Sequence, residues 1–231
     1  MSKILFVVTG ADHWTLADGT RHPTGFWAEE AVAPYEAFKK AGDEVVVATP
    51  RGVVPTVDKG SLAPEVNGGQ EGADRIAAAL EAAPEFKHPV PLEDVNLDDY
   101  DAVFYPGGHG PMEDLAVDAT SGRLLVDALD SGKPLAIVCH APAAMLAATR
   151  PDGTNAFAGY QVTGFSNAEE AQAGFADKAK WLLETRLREA GVDVQVGEPW
   201  APKVVVDRNL VTGQNPASSA PLAEEVLKRL G

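Results

Sequence analysis

Along the chain, apolar residues gather in short unbroken runs rather than alternating with polar ones. Ile4 to Val8 (ILFVV) ends at Thr9-Gly10, and Glu44 to Ala48 (EVVVA) ends before Pro50. Ala102 to Tyr105 (AVFY) stops at Pro106-Gly107-Gly108, and Leu135 to Val138 (LAIV) runs into Cys139-His140. Short apolar runs closed by turn signals predict strands buried on both faces. Helical spacing lies between them. Ala28 to Ala41 places Ala31, Tyr35 and Phe38 on one face, with Gly42 as a stop. Pro142 to Thr149 is compatible with a helix after the LAIV strand.

The second half repeats the alternation. The pattern predicts a strand over 160–163, a helix over 168–190 and a strand over 192–196. A hairpin follows, with arms at 203–206 and 210–212 around Asp207-Arg208-Asn209, and then a helix over 218–230. Buried strands alternating with helices predict an α/β fold: a doubly wound, mostly parallel sheet covered on both sides. Residues 51–98 are less regular and rich in Pro and Gly, with room for a helix at 72–83. They read as an insertion that caps a site at the top of the sheet, within a single domain over 1–231.

Composition narrows the function. One cysteine in 231 residues forbids an internal disulfide and fits a reducing compartment. The run Ile4 to Val8 is too short for a membrane span or a signal-peptide core, so a cytoplasmic protein is expected. A formal net charge of -15 argues against nucleic acid and anionic membranes as partners, since both would repel it.

The single cysteine marks the candidate chemistry. In a doubly wound sheet, sites form at the carboxyl ends of the strands. Cys139 sits where the LAIV strand must turn into the next helix, a turn that exposes a nucleophile above the sheet. A helix start and the adjacent His140 are expected to hold its thiol well below the ordinary ~8.5. Ala141 supplies the small residue that such a turn wants after the nucleophile; Ile137 departs from the small residue wanted before it. A second strand end carries YPGGHG (105–110), whose glycines let backbone N–H groups approach a ligand. The N–H groups of Gly107 or Gly108 and of His140 are candidate donors to an oxyanion, with His109 beside them in the pocket. His13 and His22 could join Asp12, Asp18 or Glu30 around a metal, but the spacings match no metal-ligand template. No metal and no cofactor is expected. Trp14 and Trp27 read as packing residues, and Trp181 and Trp200 as core or interface.

Five segments occur in a telling order: TGFWAEE (24–30), YPGGHGPMEDL (105–115), AIVCHAPAAML (136–146), TGFSNAEE (163–170) and LVTGQNPASS (210–219). Together they resemble the ThiJ/PfpI family of the class I glutamine amidotransferase-like superfamily, over nearly the whole chain. More narrowly they resemble its branch of heat-shock chaperones and glutathione-independent glyoxalases (glyoxalase III). The resemblance implies a flavodoxin-like fold, Cys139 as nucleophile, His140 as base and Glu170 as the acid that orients the histidine. It implies that Glu30 lies against the sulfur, protonated or sharing a proton with it. Glu169 and Glu29 are the neighbouring competitors, and substitution at Glu169 is expected to be close to neutral.

The implied activity converts methylglyoxal, or a similar 2-oxoaldehyde, to D-lactate or another 2-hydroxy acid, with repair of glycated proteins by the same chemistry. A homodimer is implied as well. A holdase that binds unfolded proteins, a cysteine peptidase or amidase, and a redox sensor are the competing readings. Glutamine amidotransfer is disfavoured by a sequence fact: its triad histidine comes late in the chain, and no histidine follows His140.

Overall fold

The computed structural model describes all 231 residues. The chain opens with β1 (Lys3–Val7), a ribbon of β2 (His13–Thr15) and β3 (Arg21–Pro23), helix α1 (Ala28–Ala41) and β4 (Glu44–Thr49). Then come α2 (Gln70–Glu81), β5 (Val90–Pro91), β6 (Ala102–Tyr105), α3 (Gly110–Glu113), α4 (Ala119–Ser131) and β7 (Leu135–Val138). The last third holds β8 (Gln161–Val162), α5 (Asn167–Gln172), α6 (Leu183–Glu189), β9 (Asp193–Val194), β10 (Val204–Asp207), β11 (Leu210–Gly213) and α7 (Ser219–Leu230).

Seven strands form one sheet in the order β10-β11-β7-β6-β1-β4-β5. Every pairing in it is parallel except the β10–β11 hairpin. This is the doubly wound α/β class expected from the runs. The chain builds outward from β1 on one side through β4, then returns to β6 and builds outward on the other. Strand order therefore reverses between β1 and β6, and a crevice opens above their carboxyl ends. The central strands are apolar because both faces are covered: Ile4 to Val7 and Leu135 to Val138 are fully buried. Phe6 anchors the core, stacked on Phe104 with ring centroids 4.9 Å apart and edge-on to Phe38. No helix is long and apolar enough to cross a membrane.

Two expectations change. The helix expected over 168–190 is two helices, α5 and α6, with ten residues of turns between Gln172 and Leu183. Gly174 ends α5 at φ +80°, a left-handed turn that glycine adopts at little cost. The Gly174 N–H donates to Ala171 and the Phe175 N–H to Glu170, closing the helix and turning Phe175 inward. The strands expected at 160–163 and 192–196 shrink to β8 and β9, which pair with each other outside the main sheet. The 51–98 segment, expected to cap a site, is tied into the domain. Within it α2 packs Ile76 against Ala28 and Val32 of α1, β5 extends the main sheet, and 56–60 borders the cavity described below. Helix α4 lies where the pattern was not read, although Asp118 caps its start through the Ser121 N–H at 2.7 Å and Gly132 ends it.

Candidate active site

Cys139 follows the last residue of β7 and has φ +60°, a backbone region that non-glycine residues seldom enter. Two neighbours hold it there. Its N–H donates to the Gly213 carbonyl on β11 at 2.9 Å, and its carbonyl accepts from the Phe165 N–H at 2.8 Å. A residue fixed in this way on a strand-to-helix turn presents its side chain above the sheet, and Ile137 does not prevent it. The helix that follows is a 3-10 stretch over Ala141–Ala147.

Strand β6 pairs beside β7 with Tyr105 opposite Ile137, so the Gly107-Gly108 turn lies against Cys139. Gly107 has no room for a side chain: a Cβ there would stand 2.6 Å from the Val138 carbonyl and 2.7 Å from Glu30 Oε2. Its N–H donates to that Glu30 oxygen at 2.7 Å. Gly107 is thus committed to Glu30 and cannot serve as an oxyanion donor, which corrects the sequence reading. Gly108 turns at φ +94°, and its backbone N–H favours the thiolate against the larger effects that raise it.

Glu30 sits in the first turn of α1 and is fully buried. Its carboxyl group interacts with the Cys139 thiol, and Oε1 has no hydrogen-bond partner of its own. Burial raises Glu30 from 4.5 to about 8, against the pull of the thiol and the Gly107 N–H. Burial also raises Cys139, and the charge on Glu30 raises it further. The expectation of a thiol well below the ordinary range is therefore overturned. The thiol is buried, the following 3-10 stretch supplies little dipole, and its closest acid competes for the proton. Glu30 and Cys139 therefore each keep a proton to higher pH than either would in water.

On the other side of the sulfur stands His140, its Nδ1 3.4 Å from Sγ. Its Nε2 lies 2.5 Å from Glu170 Oε2, and His109 Nε2 lies 2.8 Å from Glu170 Oε1. Burial opposes a charge on Glu170, but the two imidazoles override it and hold the carboxyl far below its usual range. An ionised carboxylate only accepts hydrogen bonds, so both Nε2 atoms carry protons. That leaves Nδ1 of a neutral His140 bare and facing the thiol, the tautomer a base requires. Burial, together with the nearby His140, lowers the pKa of His109. Trp14 stacks on it at 4.5 Å, nearly parallel.

His109, His140 and Glu170 offer ligand atoms within 4.8 Å of one another, a spacing that could hold an ion. Their nitrogen–oxygen separations are hydrogen-bond lengths, which leave no gap for an ion between them. The other combination weighed from sequence is dispersed. His13 turns to Asp12 and Glu113, His22 packs on Phe175, and Glu30 faces the sulfur.

A cavity of about 670 Å³ opens above this group, floored by Cys139, His140, Gly108 and His109. Phe165 and Phe175 form apolar wall, and Asp58 lies on the 56–60 side. Sequence reading missed both phenylalanines, although Phe165 lies inside TGFSNAEE and Phe175 directly follows the glycine that ends α5. It also placed Trp200 in core or interface. Trp200 is 46% exposed and lines this cavity.

The sequence profile of the DJ-1/PfpI family matches residues 23–229. The chain is 30% identical to the glutathione-independent glyoxalase HSP31 of Saccharomyces cerevisiae, over 94% of this chain and 93% of that one. It is 28% identical to glyoxalase 3 of Candida albicans, over 98% of both chains. Among solved structures, glyoxalase III from Candida albicans superposes with a TM-score of 0.82 at 26% identity, covering 98% of this chain and 96% of that chain.

Proposed function

The chain belongs to the DJ-1/PfpI family, and on that footing we propose that it is a glutathione-independent glyoxalase acting on methylglyoxal or a similar small 2-oxoaldehyde. The observation that carries this reading is the placement of Cys139. A strained backbone holds the thiol between the raised carboxyl group of Glu30 and the Nδ1 of His140, on the floor of the cavity.

The sulfur adds to the aldehyde carbon, and its proton passes to the new alkoxide oxygen, giving a hemithioacetal. The N–H group of His140 is the candidate donor to the developing negative charge. Removal of the proton from the former aldehyde carbon gives an enediolate, and return of a proton to the neighbouring carbon gives a 2-hydroxy thioester. Glu30, with a pKa near neutrality, is matched to moving that proton in both directions. Water then cleaves the thioester, releasing the 2-hydroxy acid and restoring the thiol. One carbon is oxidised and its neighbour reduced, so no external electron acceptor enters. Glu170 fixes the His140 ring and stabilises it when charged, the part an acid takes in a nucleophile–base–acid triad.

The test is a lactate assay with methylglyoxal on the purified protein and on Cys139→Ala. Lactate from the first and none from the second is expected. Equal lactate from both would remove Cys139 from the chemistry, and none from either would end the glyoxalase reading.

A further inference from the structure

The cavity above Cys139 is not the only large one. A second, of about 500 Å³, lies behind α1 and α2 and is lined by Val66, Arg75, Ile76 and Ala220. Three residues line both: Trp27, Trp200 and Pro216. They form the wall between the two spaces. Trp27 is fixed at the start of α1 by its N–H to the Gly107 carbonyl at 3.0 Å, and Pro216 opens the 3-10 turn that leads into α7.

Trp200 is held differently. It lies outside any helix or strand, with φ +65°, and its backbone N–H donates to Glu169 Oε1 at 2.9 Å. Its indole N–H donates to Gln172 Oε1 at 2.6 Å. Its ring meets Phe165 edge-on at 5.5 Å, and Phe165 in turn lies 4.2 Å from the His140 ring. Both anchors, Glu169 and Gln172, come from α5, the short helix that carries Glu170. The wall and the carboxylate behind His140 are therefore set by one element. A non-glycine backbone in the left-handed region is kept only where its surroundings insist on it, and here they hold the indole across the boundary between the cavities.

We infer that Trp200 is a specificity-determining residue of this site: it closes the cavity above Cys139 off from the space lined by Val66 and Ile76 and so bounds how far a substrate can extend from the sulfur. Removing the indole joins the two spaces and favours longer, bulkier 2-oxoaldehydes. The aldehyde part of this inference rests on the proposed activity; the steric part does not.

Because Cys139 is the only cysteine, alkylation reads the wall directly. The rates of Cys139 modification by iodoacetamide and by its N-phenyl analogue are measured by intact mass. Their ratio cancels changes in the thiol itself. In Trp200→Ala the ratio of N-phenyl to parent rate should rise roughly tenfold or more, the scale on which pocket walls discriminate by size. Trp200→Leu should rise less. It is read in place of the alanine variant should that fail to fold by circular dichroism. An unchanged ratio in a folded variant overturns the inference. The same variants should shift kcat/KM toward phenylglyoxal relative to methylglyoxal, and an unshifted preference in an active enzyme counts against it. Failure of the wild type to turn over methylglyoxal would fall on the proposed function alone, and the alkylation ratio would still decide the wall.

Discussion

Two helix starts in this molecule carry the same local signal, a pair of adjacent glutamates, and use it differently. At α1 the pair is Glu29–Glu30, and at α5 it is Glu169–Glu170. In both, acids in a first turn suit the helix dipole. In both, the second glutamate reaches the reaction centre: Glu30 on the sulfur side and Glu170 behind His140. The first members diverge. Glu29 is partly exposed and 3.7 Å from Arg75, an ordinary surface pair. Glu169 is fully buried. It completes a capping box with Ser166, and it accepts from the Trp200 N–H, Gln214 and Asn215. Residues adjacent on a helix point about 100° apart, so only one of a pair faces a given site. Whether the other meets water or core depends on what the fold lays beside the helix.

The sharpest break of this comparison is Glu30→Gln. Turnover should fall roughly 10³–10⁴-fold, because the group that moves the proton is gone while the Gly107 hydrogen bond can persist. Iodoacetamide reactivity of Cys139 should also shift to lower pH, since the Glu30 charge raises the thiol. Near-wild-type turnover would remove Glu30 from the proton transfer.

Glu170→Ala comes next. It leaves the sulfur in place but frees the rings of His140 and His109, and kcat should drop roughly 10²–10³-fold. A shift in KM alone would show that Glu170 shapes the cavity without orienting the base.

Glu169→Ala should act on stability. Its removal leaves the Trp200 N–H and the Gln214 and Asn215 amides short of a buried partner, at a cost of about 2–4 kcal/mol. That cost should appear as a lower thermal midpoint with kcat little changed. A silent substitution would show that these amides find other partners; the unchanged kcat is the neutrality in catalysis expected from sequence.

The pH dependence of stability separates the pairs again. Glu30 holds its proton up to about 8 when folded but only to 4.5 when unfolded. Between those values the folded state binds the extra proton, so stability falls as pH rises, by at most about 1.4 kcal/mol per pH unit. Denaturant melts across this window should show the fall in wild type and lose it in Glu30→Gln. Glu29→Gln should change stability least, within about 0.5 kcal/mol, and leave the lactate rate unaltered.

The elements read most accurately from sequence are those whose burial leaves a periodic trace. The strands at 102–105 and 135–138 and the helix at 28–41 fall where the pattern put them. The helix expected over 168–190 failed because its apolar spacing survives the break, while the stop signal, Gly174, was passed over. Five site residues carried local signals: Cys139 and His140 at a strand end, and Gly107, Gly108 and His109 in a glycine turn. Glu30 and Glu170 did not. Each is separated from the sulfur by a long stretch of chain, and only the motif resemblance singled it out.

Sequence by itself determined the doubly wound sheet, the end of that sheet at which chemistry could sit, and the identity of its one thiol. Each follows from short-range facts: the period of burial, the turn residues that close a strand, and a count of one. Tertiary structure alone decided the protonation. It buried Glu30 beside Cys139 and raised both, gave Glu170 two imidazoles and lowered it, and turned the Gly107 N–H away from any substrate. A pKa depends on which groups lie within a few ångströms and how much water is excluded, and residues far apart in the chain reveal neither until the fold brings them together.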